Sequence, residues 1–177
     1  MNKYKPLKIK LLEISGLYPS VLAMRLPIKG SSEKSDSYIK IDDRVFVGRE
    51  DKKLLSKLVK AGNGHEKASR GIWAYFEMEF SITWMIELDT YRIGSEVLST
   101  SSSMNYDLAG IKGMGLAQKK QDMASDKYYK RIQMFSYPTL RRIYQQRRHH
   151  RHPDWGIFCD YMETLPHFDE FIMPDKG

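Results

Sequence analysis

The stretch that decides the fold is Trp73–Ile82, WAYFEMEFSI, in which apolar and polar side chains alternate strictly. One face carries Ala74, Phe76, Met78, Phe80 and Ile82, and the other carries Trp73, Tyr75, Glu77, Glu79 and Ser81. A period of two maintained this long is typical of a β-strand that buries one face. The sequence therefore predicts a strand here that contributes a complete face to the core.

N-terminal to this strand, three shorter patterns predict further elements. Leu7, Ile9 and Leu11 alternate with lysines and predict a half-buried strand. The segment Tyr38–Val47 also alternates and predicts a hairpin that turns at Asp42–Asp43. A helical stripe follows from Asp51 and is expected to stop at Gly62; its members are Leu54, Leu55, Leu58 and Val59.

C-terminal to the strand, the patterns predict helices separated by loops. Thr83–Tyr91 is expected to be a short helix, Ser95–Ser103 a Ser/Thr-rich loop, and Ala109–Gln121 a mobile segment. Two stripes with helical spacing close the chain: Leu140, Ile143, Tyr144 and Arg147, then Trp155, Phe158, Cys159 and Met162. The fold class predicted is α/β (α+β), with an antiparallel sheet and flanking helices in one domain over residues 1–177.

The composition is that of an ordinary globular protein, with 177 residues, 41% hydrophobic and 29% charged. It excludes collagen-like and low-complexity classes. No apolar run approaches the roughly 20 residues of a membrane helix, and the N-terminal residues lack the apolar core of a signal peptide. The single cysteine, Cys159, forms no internal disulfide and lies on an apolar stripe, so we expect a buried thiol and a cytoplasmic location.

The positive charge is concentrated near the C-terminus. Lysine and arginine total 29 against 22 acidic residues, a net charge of +7. No Asp or Glu occurs in the stretch from residue 127 to 153, which carries Lys127, Lys130, Arg131, Arg141, Arg142, Arg147, Arg148 and Arg151. Such a stretch suits an anionic partner: a nucleotide phosphate, a nucleic acid or an acidic lipid surface. A solvated helix face is the alternative.

Common motifs of catalysis and metal binding are missing from the sequence: it has no Gly-rich phosphate loop, HExxH, paired CxxC or GxSxG. His149, His150 and His152 are a potential metal cluster, but the flanking arginines repel a dication, so solvated or phosphate-facing histidines are favoured. The hydroxyls of Ser95–Ser103 have no adjacent base for nucleophilic catalysis. They suit a phosphate or a pyrimidine edge, and a flexible linker is the alternative.

The central segment resembles a known family. Residues 64–104, GHEKASRGIWAYFEMEFSITWMIELDTYRIGSEVLSTSSSM, are similar to the flavin-dependent thymidylate synthases, or ThyX family. That family has Gly-His, a strand, and then Arg-His-Arg-x-x-Ser-x-Asn-Glu-x-Ser-x-Arg. The start LLEISGLYPSVLAMRLP, the phrase LDTYRIG and the ending YQQRRHHRHPDWGIFCDYMETLP resemble a phage-type branch of it. The resemblance covers about two thirds of the chain in pieces.

The resemblance implies roles for individual residues. Arg92 and Arg147 would be the catalytic cations beside the pyrimidine. The implied cofactor-binding residues are His65, Tyr91, Arg92 and Arg25, and the implied substrate-binding residues are Glu87, Ser95, Thr100, Ser101, Ser102 and Arg147. No metal ligand is implied.

Several positions depart from the family pattern. Thr90 and Tyr91 replace the first Arg and the His, Val97 and Leu98 replace Asn-Glu, Ser102 replaces the last Arg, and Glu87 replaces a Gln. Each lost arginine removes charge-assisted hydrogen bonds to phosphate, each contributing about 1.5–3 kcal/mol. The candidates to replace that charge are Arg141, Arg142, Arg148 and Arg151.

The activity that the resemblance implies is transfer of a one-carbon unit from a reduced folate to C5 of dUMP, with FAD as the hydride carrier and NADPH as a further co-substrate. A variant reaction is C5 hydroxymethylation without reduction. The implied assembly is a homotetramer whose active sites lie between subunits. The alternative is a non-catalytic descendant that binds nucleotides or nucleic acid through a basic helix from Lys127 to Arg151. No membrane partner is expected.

Overall fold

A computed structural model describes residues 4–62, 64–101 and 128–174. The strands in these ranges are β1 (Lys8–Ser15), β2 (Tyr38–Ile39), β3 (Val45–Phe46), β4 (Trp73–Ser81), β5 (Ser95–Thr100) and β6 (Tyr128–Ser136). The helices are α1 (Leu17–Arg25), α2 (Arg49–Ala61), α3 (Ile82–Leu88), α4 (Tyr137–Arg147) and α5 (Pro153–Met162). Short 3-10 turns lie at Ser32–Lys34 and His65–Gly71, and a π-helical turn at Phe168–Ile172.

The main sheet is antiparallel, with its strands in the order β1-β4-β6-β5. The strand predicted from strict alternation, β4, therefore lies in the interior of the sheet. β4 pairs with β6 along its whole length, from Trp73 opposite Ser136 to Ser81 opposite Tyr128. The predicted fold class, α/β with an antiparallel sheet and flanking helices, is confirmed.

The core lies on the apolar face of β4. Exposure alternates along this strand between buried and half-buried side chains, as its sequence predicts. Aromatic rings from α3 and α5 pack against this face: Trp84 and Trp155 have ring centroids 4.9 Å apart, and the Phe76 and Phe158 centroids are 6.0 Å apart. Cys159 is buried beside them on α5, which confirms its predicted core position.

The remaining local patterns near the N-terminus are confirmed. β2 and β3 form the predicted hairpin, and Asp43 adopts a left-handed conformation (φ +61°) in its turn. α2 ends at the predicted Gly62, whose positive φ of 58° is unstrained only for glycine and whose N–H donates to the Val59 carbonyl at 3.1 Å. Both C-terminal helices are also present, with their apolar stripes buried.

The predicted Ser/Thr-rich loop at Ser95–Ser103 is wrong, because Ser95–Thr100 forms strand β5. β5 is an edge strand with most of its side chains exposed. An edge strand with two solvated faces needs no hydrophobic alternation, so the sequence carries no period there. A bulge between Val97 and Ser99 further disrupts the pattern.

Two predicted helices differ in extent. The helix expected over Thr83–Tyr91 ends at Leu88, because the Thr90 hydroxyl donates to the Glu87 carbonyl at 2.7 Å and closes the last turn. The prediction of a single basic helix from Lys127 to Arg151 is wrong. Its first part is strand β6, and α4 begins only at Tyr137. Ser102, Lys127 and the predicted mobile segment Ala109–Gln121 lie outside the described residues.

Across the described ranges, none of the helices combines the length and apolarity needed to span a lipid bilayer.

Candidate functional site

Arg92 and Arg147 line one cavity of about 480 Å³ at the end of the sheet. We call it the Arg92 cavity; its lining is Thr90, Tyr91, Arg92, Ile93, Arg142, Gln146 and Arg147. One side comes from the segment between α3 and β5, and the other from the last turns of α4. The two arginines implied as catalytic therefore line the same cavity within a single chain, although they are 55 positions apart in the sequence.

The Arg147 guanidinium is fixed by three neighbours. Its Nε donates to the Tyr91 hydroxyl at 2.8 Å, and its Nη1 lies 3.3 Å from Glu87 Oε2. Its Cζ lies 4.9 Å from the Trp155 ring centroid, a cation–π contact. Nη2 has no protein partner in the described ranges, so one side of the guanidinium remains able to bind a ligand oxygen.

Glu87 lies behind the cavity wall and organises it. Its Oε2 accepts a hydrogen bond from Trp155 Nε1 at 2.7 Å as well as the contact from Arg147. His150 Nε2 is 3.8 Å from the same oxygen. Glu87 is therefore a counter-ion that positions Arg147, and its direct contact with a nucleotide stays a prediction.

Tyr91 is buried, with 5% of its surface exposed. Its hydroxyl donates to Gln146 Oε1 at 2.8 Å while it accepts from Arg147. The Arg142 and Arg147 guanidinium carbons lie 5.9 and 5.7 Å from its ring centroid. Tyr91 thus supports two of the cavity's cations.

Arg92 is the least constrained cation of the cavity. Its side chain is exposed, and within the described ranges it has no hydrogen-bond or ion-pair partner. Since no carboxylate there neutralises it, its charge is available to an anionic ligand.

A second cavity of about 650 Å³ adjoins the first, because Ile93 and Arg142 line both. We call it the Arg70 cavity. Its lining is Gly62, Glu66, Arg70, Trp73, Ile93, Gly94, Ser136, Pro138, Thr139, Arg141, Arg142 and Gln145. The elements that supply it are the 3-10 turn at His65–Gly71, the start of β4, and α4.

The backbone at the junction of the two cavities has little room. Gly94 has a positive φ of 73°, and a Cβ there would lie 2.3 Å from Thr139 Oγ1 and 2.5 Å from Ser136 Oγ. The Thr139 hydroxyl donates to the Ile93 carbonyl at 2.8 Å. Glycine at this position lets the segment before β5 pack directly on the start of α4.

The predicted substrate-binding hydroxyls are engaged with β6. Ser95 Oγ accepts from Gln133 Nε2 at 2.7 Å, and Thr100 Oγ1 accepts from Arg131 Nε at 2.9 Å. Ser101 Oγ accepts from the backbone N–H of Lys130 at 2.9 Å. These bonds attach the edge strand to the sheet, and contact of these hydroxyls with a nucleotide stays a prediction.

Arg25 lies in a different environment, at the end of α1. It is buried, and its Nε donates to Asp51 Oδ1. The hydroxyls of Ser35 and Ser37 donate to the other Asp51 oxygen at 2.7 and 2.5 Å. Arg25 lines neither of the two cavities, and its ion pair is part of the packing between α1 and α2.

The predicted flavin-contacting His65 begins the 3-10 turn at His65–Gly71 and is exposed. The turn brings Glu66 and Arg70 to the Arg70 cavity, whereas His65 is not part of its lining. In the C-terminal cluster, His150 faces Glu87, and His152 caps α5 by accepting from the Asp154 N–H at 3.3 Å.

Among the four candidate replacement arginines, Arg141 and Arg142 line the Arg70 cavity. Arg148 is instead bound to Asp160, which raises its pKa, and lies 3.4 Å from Glu163. Arg151 is exposed between α4 and α5. Arg70 was missed by sequence reasoning, because nothing near it in the chain indicates that it will meet α4.

Comparisons with known proteins identify the fold. No protein-family model matches the chain, and no curated protein sequence matches it. A crystal structure of flavin dependent thymidylate synthase ThyX from Helicobacter pylori, complexed with FAD and dUMP, superposes with a TM-score of 0.67 at 16% identity and covers 95% of this chain and 98% of that one.

A second structure of that enzyme, also with FAD and dUMP, gives a TM-score of 0.67 at 15% identity, covering 96% of this chain and 98% of that chain. The UMP/dUMP methylase PolB from Streptomyces cacaoi, bound with 5-Br dUMP, gives a TM-score of 0.61 at 12% identity. The match covers 89% of this chain and 88% of that chain. The chain therefore has a ThyX-like fold, as its central segment suggested.

Proposed function

We propose that this protein is a flavin-dependent enzyme that modifies C5 of a pyrimidine deoxynucleotide such as dUMP. In the fuller form of the proposal, the one-carbon unit would come from a reduced folate, and bound FAD would supply hydride chemistry with NADPH as the reductant. The observation that carries the proposal is the convergence of Arg92 and Arg147 on one cavity beside Tyr91. The ThyX-like fold supports it, since solved relatives in that fold are complexed with FAD and dUMP.

The cavities suit a flavin and a nucleotide in size and charge. Volumes of about 480 and 650 Å³ are in the range of small-molecule sites. Arg92, Arg142 and Arg147 supply cations for a dianionic ligand, and Tyr91 and Trp73 supply aromatic surface. FAD, when bound, would supply the redox chemistry.

The protein's own contribution would be electrostatic. Negative charge develops on the pyrimidine carbonyl oxygens as C5 becomes nucleophilic, and cations placed beside those oxygens stabilise it. Arg147 is suited to this role because Tyr91, Glu87 and Trp155 hold its guanidinium in place before a ligand arrives. Such a reaction requires no enzymic thiol, in agreement with a buried Cys159.

Nucleic-acid binding has less support. The predicted basic helix is divided between β6 and α4, and several of its charges are neutralised: Lys130 by Glu77, Arg131 by Asp89, and Arg148 by Asp160. The remaining arginines of this stretch on α4 contribute to concave cavities rather than to a continuous basic surface.

A spectrum and a ligand-dependent melting experiment test the proposal. The purified protein should show a flavin band at about 450 nm, and dUMP at about 100 times its Kd should stabilise it by about 2.7 kcal/mol. Arg92→Gln should keep the melting temperature of the ligand-free protein, because Arg92 is exposed, and lose the dUMP-dependent increase.

The matched control is Arg44→Gln, which removes the same charge from the exposed hairpin where Arg44 pairs with Asp42. It should respond to dUMP like the wild type. A protein that takes up no FAD and melts at the same temperature with and without dUMP would contradict the proposal.

A further inference from the structure

The solvent-facing side of α2 carries a line of basic and polar side chains that the candidate site does not use. Its members are three or four positions apart and therefore lie along one side of the helix: Arg49, Lys52, Lys53, Ser56 and Lys60. The buried residues Asp51, Leu55 and Val59 lie on the opposite side. We call this line the α2 stripe; at a rise of about 1.5 Å per residue it is about 16 Å long.

The α2 stripe keeps unpaired positive charge at both of its ends. Arg49 and Lys60 are exposed, and among the described residues no carboxylate lies at ion-pair distance from either. Lys53 Nζ lies 3.0 Å from Glu50 Oε1, but both side chains of this pair are mostly exposed. Such surface pairs are weak, so the lysine can exchange its carboxylate for another anion.

A cavity of about 480 Å³ lies at the N-terminal part of the stripe, and we call it the α2 cavity. Its lining includes Arg49, Lys52, Lys53, Ser56, Phe46 and Glu170. Glu170 is the only carboxylate in this lining, and its Oε1 lies 3.5 Å from Lys52 Nζ. The α2 cavity shares no lining residue with the Arg92 cavity or the Arg70 cavity.

The β2–β3 hairpin adds an exposed aromatic pair to the same surface. Tyr38 and Phe46 are directly opposite each other in the strand register and are 52% and 42% exposed. Their ring centroids lie 5.0 Å apart, and Lys40 Nζ lies 5.9 Å from the Phe46 centroid. Because Phe46 also lines the α2 cavity, the aromatic pair and the α2 stripe form one continuous surface.

We infer that this surface binds single-stranded nucleic acid, with phosphates along the α2 stripe and bases stacked on Tyr38 and Phe46. Proteins that bind single strands combine a basic surface that follows the backbone with aromatic side chains on which bases stack. The basic stretch at residues 127–153 is divided between β6 and α4, whereas the α2 stripe is continuous on one helix. Because the surface shares no residue with the Arg92 cavity, its occupancy does not depend on the proposed function.

Other anionic partners fit this surface less well. A mononucleotide would need only the α2 cavity, whereas the cations continue along the helix to Lys60. An acidic lipid surface would be repelled by Asp42 and Asp43, which lie at the turn of the hairpin beside the exposed apolar side chains.

Fluorescence anisotropy with a labelled oligodeoxyadenylate of about 12 nucleotides tests the inference. This probe contains no pyrimidine, so its binding is not confused with that of dUMP. The logarithm of the affinity should fall linearly with the logarithm of salt concentration, by a slope of about 0.7 for each phosphate contacted. Arg49→Gln and Lys60→Gln should each reduce that slope by about 0.7. The matched control is Lys10→Gln, which removes one charge from an exposed position of β1 and should leave the slope unchanged.

The aromatic pair should affect binding in a different way. Tyr38→Leu and Phe46→Leu should each weaken binding about tenfold at every salt concentration and leave the slope unchanged, because stacking releases no counter-ions. Phe46→Tyr keeps an aromatic ring and should keep the wild-type affinity. If the leucine variants fail to fold, Arg49→Gln and Lys60→Gln decide the outcome, because both replace an exposed helical side chain by another helix former.

Glu50→Gln should strengthen oligonucleotide binding about threefold, because it releases Lys53 and removes a repelling charge. General loss of structure cannot produce an effect of this sign. Arg92→Gln should bind the oligonucleotide like the wild type even though it loses the response to dUMP, which separates this surface from the proposed active site.

Absence of oligonucleotide binding at low salt would overturn the inference, as would an affinity that the stripe and aromatic variants leave unchanged. Loss of binding in Arg92→Gln would also overturn it, by placing the oligonucleotide at the Arg92 cavity. Equal affinity for a duplex of the same length, or for dATP alone, would exclude a single-strand site. Binding to vesicles of phosphatidylserine and phosphatidylcholine, with none to the oligonucleotide, would assign the surface to a membrane instead.

Discussion

Arg25 and the arginines of the cavities carry the same guanidinium group, but Arg25 is buried and the others lie in solvated cavities. Arg25 is 6% exposed, and its counter-ion Asp51 is fully buried and receives two serine hydroxyl bonds besides. Arg92 lies exposed at a cavity, and Arg142 is held by a carbonyl rather than a carboxylate. In the first region the positive charge is neutralised by a carboxylate within the fold, whereas in the second the described residues leave it without a carboxylate counter-ion.

The difference follows from desolvation. A buried cation must be neutralised and hydrogen-bonded, so few of its donors and little of its charge remain available to a ligand. A cation at a solvated cavity needs no counter-ion and keeps its field for a ligand. Arg147 is intermediate, since Glu87 balances its charge while Nη2 has no partner among the described residues. Variants of these arginines and their partners should therefore separate stability from binding.

The largest effect is expected for Asp51→Ala. It leaves the buried Arg25 without its counter-ion, and removing one member of a buried pair costs about 3–5 kcal/mol of unfolding free energy. Urea denaturation measures this change. Asp42→Ala, which breaks the exposed pair with Arg44, is the control and should leave the midpoint unchanged. Equal urea midpoints for Asp51→Ala and Asp42→Ala would contradict the expectation that the buried Arg25–Asp51 pair contributes more to stability than the exposed pair.

A smaller effect on stability is expected for Arg147→Gln. The variant loses the bonds to Tyr91 and Glu87 and the contact with Trp155, so we expect destabilisation of about 1–2 kcal/mol together with weaker dUMP binding. Calorimetric titration and denaturation measure the two changes separately. The exposed His149, replaced by Gln, is the control. Loss of stability with unchanged dUMP affinity would make Arg147 purely structural.

The smallest effect concerns His167, a basic side chain whose burial is only partly compensated by Glu170, 3.8 Å away. Burial, and to a lesser degree the charge of Lys52, lower its pKa from the usual value of 6.5, while Glu170 opposes the shift. The folded state then binds fewer protons than the unfolded state over the window just below pH 6.5, so stability rises with pH across it and is lost on acidification.

Denaturation midpoints measured between about pH 5 and 8 test this expectation. His167→Asn should flatten the dependence on pH, because Asn tolerates the left-handed backbone at this position, where φ is +60°. An unchanged slope in this variant would assign the effect to another group.

Much of the fold was predictable because its signals are local. The alternation of β4, the stripe of α2 with Gly62 behind it, and the stripes of α4 and α5 all report which side chains are buried. β5 was missed because an exposed edge strand has no buried face to leave a pattern. Pairing with β6, which the sequence does not show, makes it a strand.

The candidate site was predictable only in part. The family resemblance implied that Arg92 and Arg147 act at the same site, and both residues line one cavity. The positioning role of Glu87 was not foreseen, because its contacts with Trp155 and Arg147 join α3 to residues 60 or more positions away. Arg25 was assigned by motif, and only its distant partner Asp51 shows how its charge is used.

The sequence by itself determined the interior strand and the amphipathic helices, since each depends on neighbours a few positions apart, and its composition determined the excess of basic residues. Only the tertiary structure decided which arginines keep their charge, because that depends on whether a carboxylate or a carbonyl arrives from elsewhere in the chain. Arg70 and Arg142 meet at one cavity because the antiparallel β4 and β6 bring the turn before one strand to the helix after the other.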